Sequence, residues 1–353
     1  MKYMHPRPSS IVAALYTARD LKVGVAILHG PSGCSFKHAR LLEEDGMRVL
    51  TTSLADNEFI FGGQKPLEDV LRYAEDHFKP ERMAVIGTCV AMIIGEDLRS
   101  AIDGAGILTP TIAVDIHAGY LENIAGVLAT LEAACEAGWI SPDELIRQQF
   151  LMEKANEVEH LRGAASQPYI EPSRGDLKHI AAHRLIGLAR SGKKGIAILN
   201  AKKETAYMFA DELVALHDTC PDADITYIAN LDQRGLPKTR LDAERILKEM
   251  RARDLKVEVI GALDEYGANG DLLGRKLVET APDFALICGV PHAIPPEYTQ
   301  DIECFSVTNG PRQVGPLHLI GHQHVIVEID LHPKTLGVRN IIESEFGAVM
   351  RSF

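Results

Sequence analysis

Cysteine is scarce in this sequence: six thiols in 353 residues cannot build the disulfide lattice of a small secreted protein. Long apolar runs are missing as well. No stretch approaches the roughly 18 to 20 residues that a membrane helix needs, and the opening Met1 to Ser10 has no apolar segment of the signal-peptide kind, so the expected location is the cytoplasm. Positive charge is in deficit, with 37 Lys and Arg against 49 Asp and Glu and a formal net charge of -12. That balance excludes a general affinity for nucleic acid or anionic lipid. Polar low-complexity tracts are also lacking: hydrophobic residues make up 46% and charged residues 24%, the usage of a folded chain rather than a disordered one.

What the sequence does contain is a recurring alternation of short β-branched runs and longer amphipathic segments, the pattern of βαβ units around a parallel sheet. Strands are expected at Val23 to His29, Met47 to Leu54, Met83 to Thr88 and Thr111 to Ile116. A helical stretch follows from about Leu121 to Arg162, broken near Trp139, where Ser141 can cap and Pro142 suits a first turn. The segment Ala164 to Asp176 has two prolines and no apolar periodicity, and reads as a linker. The pattern then restarts at Gly195 to Asn200, Ile225 to Asn230, Val257 to Ala262, Phe284 to Gly289 and His324 to Leu331. The expectation is an α/β chain of two or three doubly wound, Rossmann-like domains with parallel sheets. Residues 1–170 would form an N-terminal domain and 171–353 a C-terminal domain that contributes to a substrate cleft.

Ligands of such sheets bind beyond the carboxyl ends of strands. Two cysteines stand there: Cys34, in LHGPSGCS after the first strand, and Cys89, in IGTCVAMIIGED after the third. Gly30, Pro31 and Gly33 permit a tight turn whose amides can face an anion, and a helix start beside Cys34 would favour its thiolate. In one sheet both sulfurs would lie on the same edge and could serve one metal centre, although separate turn cysteines also fit the spacing. Two ligands per chain fall short of the four thiolates of a 4Fe-4S cluster, so two copies related by a two-fold axis would complete the set. Zinc would ordinarily use close C-x-x-C pairs, and none occurs. Cys135 and Cys288 read as small buried hydrophobes, and Cys220 and Cys304 have no spacing signal.

HGPSGC around Cys34, TTSLADNEFIFGG from Thr51 to Gly63 and VIGTCVAMIIGED from Val85 to Asp97 follow one another in the order and approximate spacing of the nitrogenase component 1 family, which the sequence resembles. The likeness is close over the first domain and one of fold over the second. Within that family the compact length and the opening segment Met4 to Gly46 are most similar to the branch acting on nickel tetrapyrroles. The resemblance implies an enzyme of reductive cyclisation: a multi-electron reduction and lactam ring closure on the macrocycle, in the biosynthesis of coenzyme F-430. It implies one 4Fe-4S cluster per homodimer, held by Cys34 and Cys89 of both chains, and electrons from an ATP-hydrolysing iron-sulfur partner resembling nitrogenase reductase. Nickel would arrive inside the substrate. No cysteine precedes Gly33 and none follows the strand in LNAKKET, which argues against the eight-iron cluster and the iron-molybdenum-type cofactor of nitrogenase itself. Two alternatives stand beside this reading: a subunit resembling protochlorophyllide reductase, and a non-catalytic scaffold for cofactor assembly.

Further candidates are less specific. Gly33, Ser35 and Thr88 amides could donate to cluster sulfurs. Lys37, His38, Arg40, Lys202, Lys203 and Arg312 could meet substrate carboxylates, although a solvated helix face also explains the first three. Asp56 and Glu58 are candidate proton donors, or caps of the next helix. The segment from His292 to His324 reads as a long irregular loop, the kind often functional. It offers His318, His322 and His324 as substrate contacts or proton donors, and their spacing fits a shared metal site poorly.

Overall fold

A computed structural model describes residues 9–119, 123–328 and 335–353. The chain divides into two compact units. Of the described residues, one comprises those up to Gln149 together with Leu236–Lys238; the other comprises those from Phe150 to Gly235 and from Thr239 to Phe353. Among the described residues no helix is long and apolar enough to cross a membrane.

In the first unit the order is α1 (Ser10–Asp20), β1 (Val25–His29), α2 (Phe36–Glu44), β2 (Arg48–Thr51), α3 (Asp56–Phe61), α4 (Gln64–Phe78), β3 (Met83–Gly87), α5 (Cys89–Ile94), α6 (Leu98–Ala105), β4 (Thr111–Val114), α7 (Ile124–Glu136) and the start of α8 (Pro142–Leu161). Its four strands are parallel in the order β2-β1-β3-β4. Strands β1 and β3 are buried along their whole length, which is why they read as unbroken apolar runs. Their faces pack on Leu67, Leu71 and Ala74 of α4 and Ala101 of α6. Ser141 accepts from the Glu144 amide at 3.2 Å, so α8 starts where the serine and proline indicate. Residues 121–122, at the start of the expected helical stretch, lie outside the described residues.

In the second unit α9 (Lys178–Arg190), β5 (Gly195–Asn200), α10 (Ala206–Thr219), β6 (Ile225–Ala229), α11 (Pro237–Ala252), β7 (Glu258–Val259), α12 (Gly270–Thr280), β8 (Phe284–Gly289), β9 (Glu303–Thr308), α13 (Val314–Leu319), β10 (His324–Val327) and a helix at Glu345–Arg351 follow one another. The six strands are all parallel, ordered β10-β9-β8-β5-β6-β7. The segment 164–176 is irregular and lies along this unit, with the Ser173 amide donating to Pro311 O at 2.8 Å and the Asp176 amide to Val325 O at 2.7 Å. Residues 329–331 of the expected last strand lie outside the described residues.

The segment from His292 to His324 is not a loop. It holds two short 3-10 turns, the strand β9 and the helix α13. In β9, ECFSVT, the residues Cys304 to Thr308 are all buried. Ser306 and Thr308 conceal a strand from any reading based on apolar runs, because their hydroxyls are satisfied inside the unit: Ser306 pairs with His322 and Thr308 accepts from the Gly310 amide.

Candidate metal centre

The chain leaves β1 towards β2 on one side and, after β3, builds the other half of the first sheet, so the topological switch point lies between β1 and β3. The two cysteines follow these two strands. Cys34 lies in the turn after β1, its amide donating to Pro31 O at 3.1 Å, and Cys89 is the first residue of α5. Both side chains are half-buried. Burial, and then the neighbouring Cys89, push the Cys34 thiol above its ordinary value. This departs from the thiolate expected beside a helix start. Helix α2 begins only at Phe36, after Ser35 in the left-handed region (φ 55°, ψ 21°), and burial with the repulsion of a second sulfur outweighs any help from its dipole. A metal ion bound at the Cys34 sulfur would require its thiolate, as any thiol ligand does.

Contacts between the three sequence motifs bring the sulfurs together. A Cβ on Gly30 would lie 2.2 Å from Thr88 Oγ1 and 2.8 Å from its Cγ2, so only glycine lets the two cysteine turns approach this closely. Thr88 Oγ1 donates to His29 O at 2.9 Å, tying the start of α5 to the end of β1. The Gly30 amide donates to Thr52 Oγ1 at 3.0 Å, and His29 Nδ1 lies 3.1 Å from the same hydroxyl. On its other side His29 Nε2 stands 3.5 Å from Glu96, which accepts from the Gly63 amide. Gly63 is held tight as well, since a Cβ there would meet the His29 ring at 2.9 Å. His29 is fully buried, and burial lowers its pKa against the opposing pull of Glu96. The Ala118 amide donates to Cys89 Sγ at 3.2 Å. The side of Gly33 is open, with no atom within 4 Å of a Cβ built there. A sulfur-bound cluster therefore fits: two thiols at one edge, a backbone donor to one sulfur and an open side at Gly33 in the turn that carries the other.

Sequence reasoning picked out the cysteines but not His29, Thr52, Glu96 or the Ala118 amide, which hold them. The available sign was that a histidine and a glutamate, each ending an apolar run, sit inside the same motifs as the cysteines.

The other candidates disperse. On α2, Lys37 and Arg40 are exposed, with Arg40 bonded to Glu43 at 2.5 Å, while His38 sits edge-on to Tyr16. Asp56 is exposed; Glu58 accepts from the Ala55 amide at 2.9 Å, the geometry of a helix cap. Lys202 is taken up by Glu159 at 3.4 Å, and Arg312 donates to Ile170 O at 3.1 Å. The three histidines of the His318 to His324 stretch go to three different partners. His318 lies 2.9 Å from His322 O and 3.9 Å from Asp176, and His324 lies 3.0 Å from Glu303. His322 is buried against Ser306, and burial lowers its pKa to about 4, so it is neutral near pH 7. Cys220, Cys288 and Cys304 are buried, and Cys135 is half-buried.

The model of the nitrogenase component 1 type oxidoreductase family matches residues 9–138, the stretch that contains both cysteine turns. A Methanosarcina acetivorans protein named Ni-sirohydrochlorin a,c-diamide reductive cyclase complex, component CfbD, is 53% identical, the match covering 99% of this chain and 96% of the relative. The chain belongs to the CfbD family. The component of the same name from Methanothermobacter thermautotrophicus is 46% identical over 99% of this chain and 98% of its own length. That from Methanocaldococcus jannaschii is 41% identical, with 98% of each covered. The likeness to the CfbD family runs through both units, whereas the broader oxidoreductase family is matched only over the cysteine-bearing part.

Proposed function

We propose that this chain is the cluster-bearing catalytic component of a Ni-sirohydrochlorin a,c-diamide reductive cyclase, and that two copies share one 4Fe-4S cluster through Cys34 and Cys89 of each. The observation that carries the reading is the pair of half-buried sulfurs at the switch point of the first sheet, in a chain 53% identical to a relative of that name. When bound, the cluster would pass single electrons at low potential. The chain's own residues do the rest: Thr88 and Thr52 fix the two cysteine turns against His29, and the Ala118 amide stabilises charge on one sulfur.

A second copy would also cover an apolar surface. Around the cysteines, Phe36, Phe59, Ile60, Phe61, Met92 and Ile93 are exposed on α2, α3 and α5, with Phe61 at 84% and Ile60 and Ile93 at 74%. So much large apolar surface beside two incomplete ligands suits an interface between identical chains. Electrons would come from an ATP-hydrolysing iron-sulfur protein resembling nitrogenase reductase. The named relatives are components of a complex, which supports a further partner. The macrocycle would bring its own nickel, be reduced by several electrons and close a lactam ring on the way to coenzyme F-430, in the cytoplasm.

The test is turnover. Anaerobic protein mixed with Ni-sirohydrochlorin a,c-diamide, the partner reductase, ATP and a reductant is expected to change the absorption of the macrocycle. An unchanged spectrum with an intact cluster would favour a carrier or scaffold. Assembly of a cluster only with a second, different subunit would favour a protochlorophyllide reductase-like arrangement.

A further inference from the structure

Glu96 is a buried carboxylate with little to hold it. Its side chain is 7% exposed; Oε1 accepts from the Gly63 amide at 2.5 Å, and Oε2 faces His29 Nε2 at 3.5 Å. Among the described residues no Lys or Arg lies within ion-pair distance of it. The ring it faces is fully buried, and burial keeps that imidazole neutral near pH 7 against the pull of Glu96. The tautomer follows from the other side of the ring. Thr52 Oγ1 accepts from the Gly30 amide at 3.0 Å and lies 3.1 Å from His29 Nδ1 and 3.4 Å from Gly30 O. Its hydroxyl proton has the closer acceptor in Nδ1, so the ring proton sits on Nε2, towards Glu96.

The surroundings do not cancel the charge either. Glu96 lines a groove of about 390 Å³ in which Asp97, Asp115, Glu132 and Glu136 face a single cation, Arg99, and Arg99 is taken up by Glu136 at 2.5 Å. A carboxylate buried against one amide and a neutral ring costs stability that an apolar side chain would not. What it does gain is position. Helix α5 begins at Cys89 and is six residues long, about 9 Å, so Glu96, two residues past its end, lies about one helix length from that cysteine. His29 ends the strand that leads into the Cys34 turn, and its carbonyl oxygen accepts from Thr88, the residue before Cys89. Over such a distance a charge inside the protein is only weakly screened. A fixed negative charge repels an electron added to a centre between the two cysteines, which disfavours the reduced form.

We propose that Glu96 is a potential-setting residue: an uncancelled carboxylate, held between Gly63 and His29, that lowers the reduction potential of the centre bound by Cys34 and Cys89 and so strengthens it as a reductant of the macrocycle. The proposal rests on the cluster reading above and gives a role to a residue that touches neither sulfur.

Two measurements test it. A redox titration of the anaerobically reconstituted protein, followed by electron paramagnetic resonance, reads the midpoint potential, and a urea titration of the iron-free protein reads stability. Glu96→Gln keeps the oxygen that accepts from Gly63 and removes the charge. Its potential is expected to move positive, with iron content unchanged and stability at or above that of wild type. Glu96→Asp keeps the charge and shortens the reach to Gly63, so stability is expected to fall while the potential stays near wild type. A purely structural Glu96 would give the reverse pattern. Ala129→Lys places a cation in the groove and leaves the contacts to Gly63 and His29 alone; it is expected to move the potential in the same positive direction, and it decides the matter if Glu96→Gln fails to hold iron. An unmoved potential in Glu96→Gln, or in Ala129→Lys where that variant stands alone, overturns the charge role and leaves Glu96 as a clamp on the Gly63 turn, with the cluster reading intact. A wild-type protein that binds no cluster overturns the cluster reading instead.

Discussion

Replacing Gly30 with alanine tests whether the two cysteine turns are pressed together as described. The new methyl carbon would lie 2.2 Å from Thr88 Oγ1, 2.8 Å from Cγ2 and 2.9 Å from Cβ, all closer than real Cβ atoms approach. Since no φ in the left-handed region is involved at Gly30, the cost comes from contact alone. Relief requires Thr88 to move by about 1 Å, an overpacking cost of about 1–3 kcal/mol. That movement also strains the 2.9 Å bond from Thr88 to His29 O, worth about 0.5–1.5 kcal/mol. The sum is about 1.5–4.5 kcal/mol, together with loss of the cluster, because Cys89 follows Thr88 directly. Urea titration of iron-free protein and iron analysis of anaerobically reconstituted protein measure the two effects. Thr88→Ala in the Gly30→Ala background removes the two shortest contacts and leaves only the 2.9 Å approach, so the double variant is expected to recover at least half of the lost stability. A Gly30→Ala protein that loses less than about 0.5 kcal/mol and keeps its iron would refute the reasoning.

Other perturbations read out different parts of the molecule. Glu212 is fully buried, and burial followed by the charge of Glu328 raises its carboxyl well above the ordinary value of 4.5. The folded chain thus keeps a proton that the unfolded chain releases, and stability falls as pH rises above about 4.5, by about 1.4 kcal/mol per unit until the folded group titrates. Glu212→Gln is expected to leave urea stability at pH 4.5 nearly unchanged and to raise it at pH 8; equal pH slopes in the two proteins would contradict this. Ile60→Glu with Phe61→Glu, at 74% and 84% exposure, should leave the fold intact by circular dichroism and shift sedimentation from dimer to monomer. Cys34→Ala and Cys89→Ala should each abolish the electron paramagnetic resonance signal of the reduced cluster, and a signal kept by either would remove that residue from the ligand set.

Strands buried on both faces were legible because their side chains are uniformly apolar. GIAILN and FALICG appear as β5 and β8 with the bounds the sequence suggests. Strand β9 was not legible, since Cys304, Ser306 and Thr308 look polar while their partners lie elsewhere in the chain: His322 for Ser306, and Gln323, which accepts from the Cys304 amide at 2.8 Å. The same limit applies to the candidate sites. Two cysteines after two strands are local features, visible in any reading of the chain. That His29 meets Thr52 and Glu96 depends on long-range packing that periodicity does not encode. Lys202 shows the converse case: a basic residue at a strand end suggests a ligand contact, and the structure gives it a carboxylate of its own chain.

The shared cluster is tested most directly by native mass spectrometry of the anaerobically reconstituted protein. The account predicts a dimer with the added mass of one 4Fe-4S unit, about four irons, and iron-free protein when Cys89→Ala replaces wild type. Iron bound to single chains, or a dimer that retains its iron without Cys89, would contradict it.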